Sequence, residues 1–100
     1  MRKIEFYSAV MRDGKKTVEM QNGYTDGEFN YYRAGRAHWY CIDPKTGFSV
    51  TTGTSKEKAQ LNAKNVIDKF EALKERETYK KMCKEFDELR LYGGGVTFAI

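Results

Sequence analysis

Cysteine, proline and histidine are scarce in this chain of 100 residues, with two, one and one of each. Two cysteines far apart, Cys41 and Cys83, do not make the disulfide framework of a small secreted domain. They read as reduced thiols, at least one of them in the core. A single proline excludes a proline-rich linker. With His38 alone, a zinc site built from His38, Cys41 and an acid lacks the paired ligands of specific zinc motifs. The two-residue period of a strand also puts His38 and Cys41 on opposite faces, which excludes them as a nucleophile pair. No apolar run is long enough for a signal-peptide core or a membrane span, because Glu5 and Arg12 interrupt the N-terminus. A basic arm is missing too: residues 1–54 carry eight Lys and Arg against six Asp and Glu, and residues 55–100 carry ten against eight. Any basic patch has to be assembled by folding, although the net charge of +4 permits a nucleic-acid partner. The expectation is a cytoplasmic protein that is not an enzyme and has no metal, no cofactor and no membrane segment.

What the chain does contain is one domain of 100 residues, 14% aromatic. At this length roughly 60–70% of the unfolded surface is buried on folding, enough for one core. Residues 1–53 read as a β-sheet region. Ile4, Phe6, Ser8 and Val10 alternate with Lys3, Glu5, Tyr7, Ala9 and Met11, a half-buried strand. "RDGK" carries an Asp-Gly turn, and "KTVEMQ" is a second strand. "NGYTDG", Asn22 to Gly27, reads as a loop. "EFNYYR" is a third strand, Ala37 to Ile42 a fourth and Phe48 to Thr52 a fifth. Between the last two, "DPKTG" is a hairpin connection. Asp43 can accept from turn amides, Pro44 presets φ, and Gly47 supplies the left-handed residue.

Residues 54–91 read as helical. Thr54 and Glu57 have capping-box spacing. Ala59, Ala63, Val66, Ile67, Phe70 and Leu73 then form one apolar stripe. Tyr79, Met82, Cys83, Phe86 and Leu89 form another, nearly opposite it. Either the chain breaks near Glu75 to Thr78 and folds back, or one long helix offers Met82, Phe86 and Leu89 to a partner, a second copy among them. Residues 92–100 are a glycine-rich tail in which three glycines stop the helix and Val96 to Ile100 can add an edge strand. The fold class is α+β: an antiparallel sheet of four or five strands packed on one long or two shorter C-terminal helices.

Within the fourth and fifth strands, Trp39, Cys41, Phe48 and Val50 share the helix side. His38, Tyr40, Ile42, Ser49 and Thr51 share the other, with Tyr7 and Tyr32 beside them. Tyrosine, histidine and hydroxyl side chains next to Arg33, Arg36 and Lys45 suit bases and phosphates. At the helix start, Lys56 and the free amides from Gly53 onward can hold an anion. Arg33, Arg36, His38, Tyr40, Lys45, Ser49, Thr51 and Lys56 are therefore the expected nucleic-acid contacts. Met82, Phe86 and Leu89 are the expected contacts if the partner is a protein.

The stretch "HWYCIDPKTGFSVTTGTSKEKA" resembles the arm-type, AP2-like DNA-binding module of phage and conjugative-transposon integrases. Shared are an aromatic strand at Trp39-Tyr40, the turn Asp43 to Gly47, a strand ending at Gly53, and a helix opened by Thr54 to Ala59. The resemblance implies a sheet that enters the major groove, with Tyr40, Lys45, Ser49 and Thr51 near DNA. It covers about a quarter of the chain. Basic residues are thin on Phe48 to Thr52, where that family often has several. The composition is also similar to small accessory proteins of phages and mobile elements, anti-CRISPR-type inhibitors among them. Two functions follow as expectations: a nucleic-acid-binding protein of a mobile element, or a protein-binding inhibitor or adaptor.

Overall fold

The computed structural model describes residues 1–94, with side chains through Leu91. Five antiparallel strands form one sheet in the order β1-β2-β3-β4-β5: β1 Arg2–Arg12, β2 Lys15–Thr25, β3 Asn30–Gly35, β4 His38–Ile42 and β5 Ser49–Gly53. Helices α1 Lys56–Asn65, α2 Ile67–Lys74 and α3 Glu77–Glu88 follow, and a π-helical turn runs from Leu89 to Gly94. The α+β architecture is thus the one expected. The helical turn ends at Gly94, the second of the three glycines. The edge strand anticipated at Val96 to Ile100 lies outside the described residues.

Asp13-Gly14 joins β1 to β2 as a two-residue turn, with both residues at positive φ and Arg12 paired with Lys15. β2 runs further than its sequence suggests. The Asn22-Gly23 dipeptide is not a loop: these residues pair with Glu5 and Ile4. Gly23 is there for room, because a Cβ would lie 1.9 Å from the Tyr31 carbonyl oxygen. The true connection is Asp26 to Phe29. Asp26 accepts from the amides of Glu28 (2.9 Å) and Phe29 (2.7 Å), and from the Tyr31 hydroxyl (2.6 Å) and Gln60 (3.1 Å).

The β4–β5 turn forms as its residues predict. Asp43 accepts from the Lys45 amide at 3.0 Å, and Gly47 takes φ +75. Gly47 is also pinned by packing, since a Cβ would meet the Phe86 ring at 2.3 Å. Within β5, Cys41 pairs with Thr51 but Ile42 pairs with Ser49, so Val50 is an extra, bulged residue.

The sheet is rolled. All of β1 pairs with β2, yet β2 pairs with β3 only through Tyr24–Tyr31 and Thr25–Asn30. From that narrow base the β1–β2 hairpin curls over the side of the sheet away from α1. Phe6 reaches Tyr32 at 6.1 Å between ring centroids. The Ala9 amide, on the outer edge of β1, donates to the Gly47 carbonyl at 2.8 Å. Both sides of the sheet therefore bury apolar groups. Ile42, on the side away from α1, is only 2% exposed.

On the helix side there are two clusters. The larger holds Phe29, Tyr31, Cys41, Ala59, Ala63, Phe70 and Tyr79 between β3–β5 and the helices. The smaller holds Ala9, Val18 and Phe86. Ser55, rather than Thr54, caps α1: its Oγ accepts from the Lys58 amide at 3.1 Å. The backbone kinks at Val66 and breaks at Arg76, which is extended at φ −80 and ψ 145. Of the two arrangements open from the sequence, the chain takes the fold-back, with a further kink at Val66. Leu73, expected in the core, is 42% exposed near the end of α2.

Candidate nucleic-acid interface

The eight residues expected to contact nucleic acid do not form one surface. Tyr40 lies on the side away from α1, opposite Tyr32 (5.4 Å between rings), with His38 edge-on to it at 5.0 Å. Tyr7 is not in this row: it packs with the Ala9–Val18–Phe86 cluster on the helix side. Thr51 also moves to the helix side, because the Val50 bulge brings it opposite Cys41. Arg36 is in the β3–β4 turn, whereas Lys45 and Ser49 flank the opposite end of β4. Five residues of strand, about 17 Å, separate those ends. Arg12 approaches the Tyr32–Tyr40 row, but Glu19 holds it through two bonds of 2.8 and 3.0 Å. The aromatic row is therefore a cupped surface with little cationic character.

Charge and aromatic surface coincide elsewhere, where the sheet meets the first turn of α1. Trp39 and Tyr24 are half-buried and in ring contact at 6.1 Å, tilted by 45°. The Lys56 ammonium lies over both, 4.9 Å from the Tyr24 ring and 5.8 Å from Trp39. Arg33 is registered opposite Trp39, and Lys3 opposite Tyr24. Antiparallel partners share a face, so both cations lie on the side of the ring pair, with the Arg33 Nε donating to the Gly35 carbonyl at 3.1 Å. Beside Tyr24, an open concavity of about 430 Å³ is lined by Lys3, Glu5 and Asn22 among others. Glu57 is the acid nearest Lys56, at 3.1 Å. A cation over a partly exposed aromatic ring is worth about 0.5–2 kcal/mol. Together the rings and the exposed Glu57 carboxylate hold Lys56 by contacts that a phosphate and a base could replace.

Two of the expected residues, Arg33 and Lys56, thus belong to this cluster. Lys3, Tyr24 and Trp39 are additions. Strand alternation places Trp39 on the helix side, as observed, but as a core residue, whereas its ring reaches the end of the sheet. At the start of α1, Ser55 caps the Lys58 amide and the Lys56 ammonium turns to the rings.

Two reactive groups elsewhere, Cys41 and Asp43, are buried. Burial pushes the Cys41 thiol up to about 12, so it stays protonated. Asp43 is buried and accepts from the Tyr79 hydroxyl (2.7 Å) and Thr46 (3.1 Å). Burial, and then that bond to Asp43, raises the Tyr79 phenol above its ordinary range. This polar set forms the floor of an apolar cleft of about 340 Å³ between β5, α2 and α3, with Leu73 and Met82 among its walls. Phe86 is buried and Leu89 packs beside it, so of the expected protein-contact stripe only Met82 reaches the cleft. Among the described residues, no three His, Cys, Asp or Glu side chains are grouped to hold a metal ion, and no helix is long and apolar enough to cross a membrane.

No protein-family model matches the chain, and neither does a curated protein or a solved structure. The class is defined by architecture: an α+β fold in which a rolled five-stranded meander packs on three helices.

Proposed function

We propose that this chain is a small non-enzymatic nucleic-acid-binding protein, of the accessory kind carried by phages and mobile elements. Its contact surface is the exposed end of the sheet at Trp39 and Tyr24, flanked by Lys3, Arg33 and Lys56. One observation carries the reading: a lysine ammonium lies over two adjoining aromatic rings, with a further cation registered beside each ring. Phosphates need cations, and bases need aromatic faces. This cluster offers both within one patch. The likeness of residues 38–59 to integrase arm modules points to the same class of ligand, although the patch lies on the helix side of the sheet rather than the groove-reading side.

The test is fluorescence polarisation of labelled oligonucleotides across a salt series. Affinity should fall steeply with salt, because each neutralised phosphate releases counterions. Replacing Lys3, Arg33 and Lys56 together by Ala should flatten the salt slope by about 0.7–0.9 for each phosphate no longer neutralised. Absence of binding to any oligonucleotide at low salt would overturn the reading. Capture of a protein that survives nuclease treatment would then favour the inhibitor or adaptor reading, with the cleft beside Leu73 and Met82 as its seat.

A further inference from the structure

Resting on that reading, we infer that the ligand is single-stranded nucleic acid, held by stacking of unpaired bases on Trp39 and Tyr24. Two independent features lead there. The first weighs against a duplex read by the sheet face. A sheet that reads a groove presents an open, side-chain-bearing face to the DNA. Here the face away from α1 is rolled shut: Phe6, Ser8 and Ile42 are 8%, 0% and 2% exposed. The Ala9–Gly47 bond fixes the roll. What remains at its rim, Tyr32, Tyr40 and His38, packs ring against ring.

The second feature is the patch itself. Rings 6.1 Å apart and tilted by 45° do not match the parallel stack of a duplex, whose bases are in any case covered by their neighbours. They do suit bases splayed from a single strand, each taking one ring. Base stacking on an aromatic side chain matches or exceeds a cation–π contact at a partly exposed site, and the displaced ammonium gains a phosphate in place of Glu57. An arriving base therefore displaces the Lys56 ammonium from the rings. Lys56 has a long flexible stem, and its charge moves to the adjacent phosphate. Arg33 and Lys3 track the backbone on either side. Every base has a π-face, so the preference for sequence is weak.

Trp39 is the single tryptophan of the chain, so emission excited selectively from tryptophan, beyond the tyrosine absorption band, reports from this site alone. The full chain is titrated at low salt with three probes of equal length: oligothymidylate, its abasic counterpart, and a blunt duplex. Emission and polarisation are both read. Oligothymidylate should quench Trp39 and bind most tightly. The abasic strand, with the same phosphates, should bind at least fivefold more weakly and leave emission unchanged. Trp39→Leu, which keeps apolar bulk against the core, should lose about 5- to 150-fold in affinity for oligothymidylate, the range for stacking one base. Trp39→Phe should retain most of it. Equal affinity for the abasic strand, or a duplex that binds as well as the single strand, overturns the stacking inference while nucleic-acid binding stands. Failure of all three probes to bind overturns both. The abasic comparison needs no variant, so it decides the matter even if Trp39→Leu does not fold.

Discussion

The β1–β2 hairpin and the β3–β5 body are built on opposite principles. The hairpin has eleven registered residue pairs but only a small core of Ala9, Val18 and Phe86. The body has short strands of five or six residues, a bulge and a register shift, and most of the large buried side chains. One region is ordered by backbone ladder, the other by apolar burial. Ladder hydrogen bonds contribute modestly net of water, so the hairpin depends on what anchors it. Those anchors are Phe86 from α3, the Ala9–Gly47 bond and the Asp26 loop. Regular pairing therefore does not rank stability. The better-registered region is expected to detach first.

The comparison breaks most sharply at Phe86. Phe86→Ala should cost about 3–5 kcal/mol. Amide exchange should accelerate in β1 and β2 well before β3 to β5, as read by exchange mass spectrometry. Uniform acceleration would mean the two regions unfold as one. Gly47→Val comes next, at about 2–4 kcal/mol, because it forces a β-branched residue to positive φ and drives a Cβ into the Phe86 ring. Thermal and urea melts measure it, and an unchanged midpoint would refute the tight packing.

Asp26 sharpens the comparison through pH. Burial works against its charge, but the amides of Phe29 and Glu28 and the side chains of Tyr31 and Gln60 outweigh it and hold the carboxyl below its ordinary value. A depressed folded-state value means stability that is present above the unfolded value, near 4, and lost as pH falls through the folded one. Asp26→Asn should be less stable than wild type at neutral pH by less than the first two changes. That gap should close in melts at progressively lower pH. A gap independent of pH would assign the loss to geometry rather than charge. Arg12→Ala should have the smallest effect, a barely shifted midpoint in melts, since the Arg12–Glu19 pair is exposed near the hairpin tip and screened by solvent. A larger loss would show that the hairpin carries its own stability.

Much of this fold was legible because turn chemistry and periodicity are local. The Asp13-Gly14 turn, the Asp43 to Gly47 connection and the alternation of β1 required only neighbours. The break at Arg76 was legible from the change of phase between Phe70 and Tyr79. What escaped was nonlocal. Asn22-Gly23 has turn composition, and only the approach of Tyr31 explains a glycine inside a strand. The Val50 bulge, which turned Thr51 to the other face, has no signature in "FSVTT". Thr54 and Ser55 are both good caps, and sequence does not decide between them. The Trp39–Tyr24 patch needed the offset between the end of the sheet and the start of α1. A loop over residues 22–27 would take Tyr24 out of the sheet altogether.

The Ala9–Gly47 bond has a consequence for behaviour at high concentration. β1 is an edge strand eleven residues long, the kind of free ladder on which other chains template themselves. Rolling the hairpin onto the β4–β5 turn occupies that edge near its centre and bends it away from straight pairing. The opposite edge, β5, is short, and Asn62 caps its Thr52 carbonyl at 2.8 Å. A lesion that unrolls the hairpin therefore does more than loosen one region: it unmasks a template, and the resulting defect would be self-association that grows with concentration.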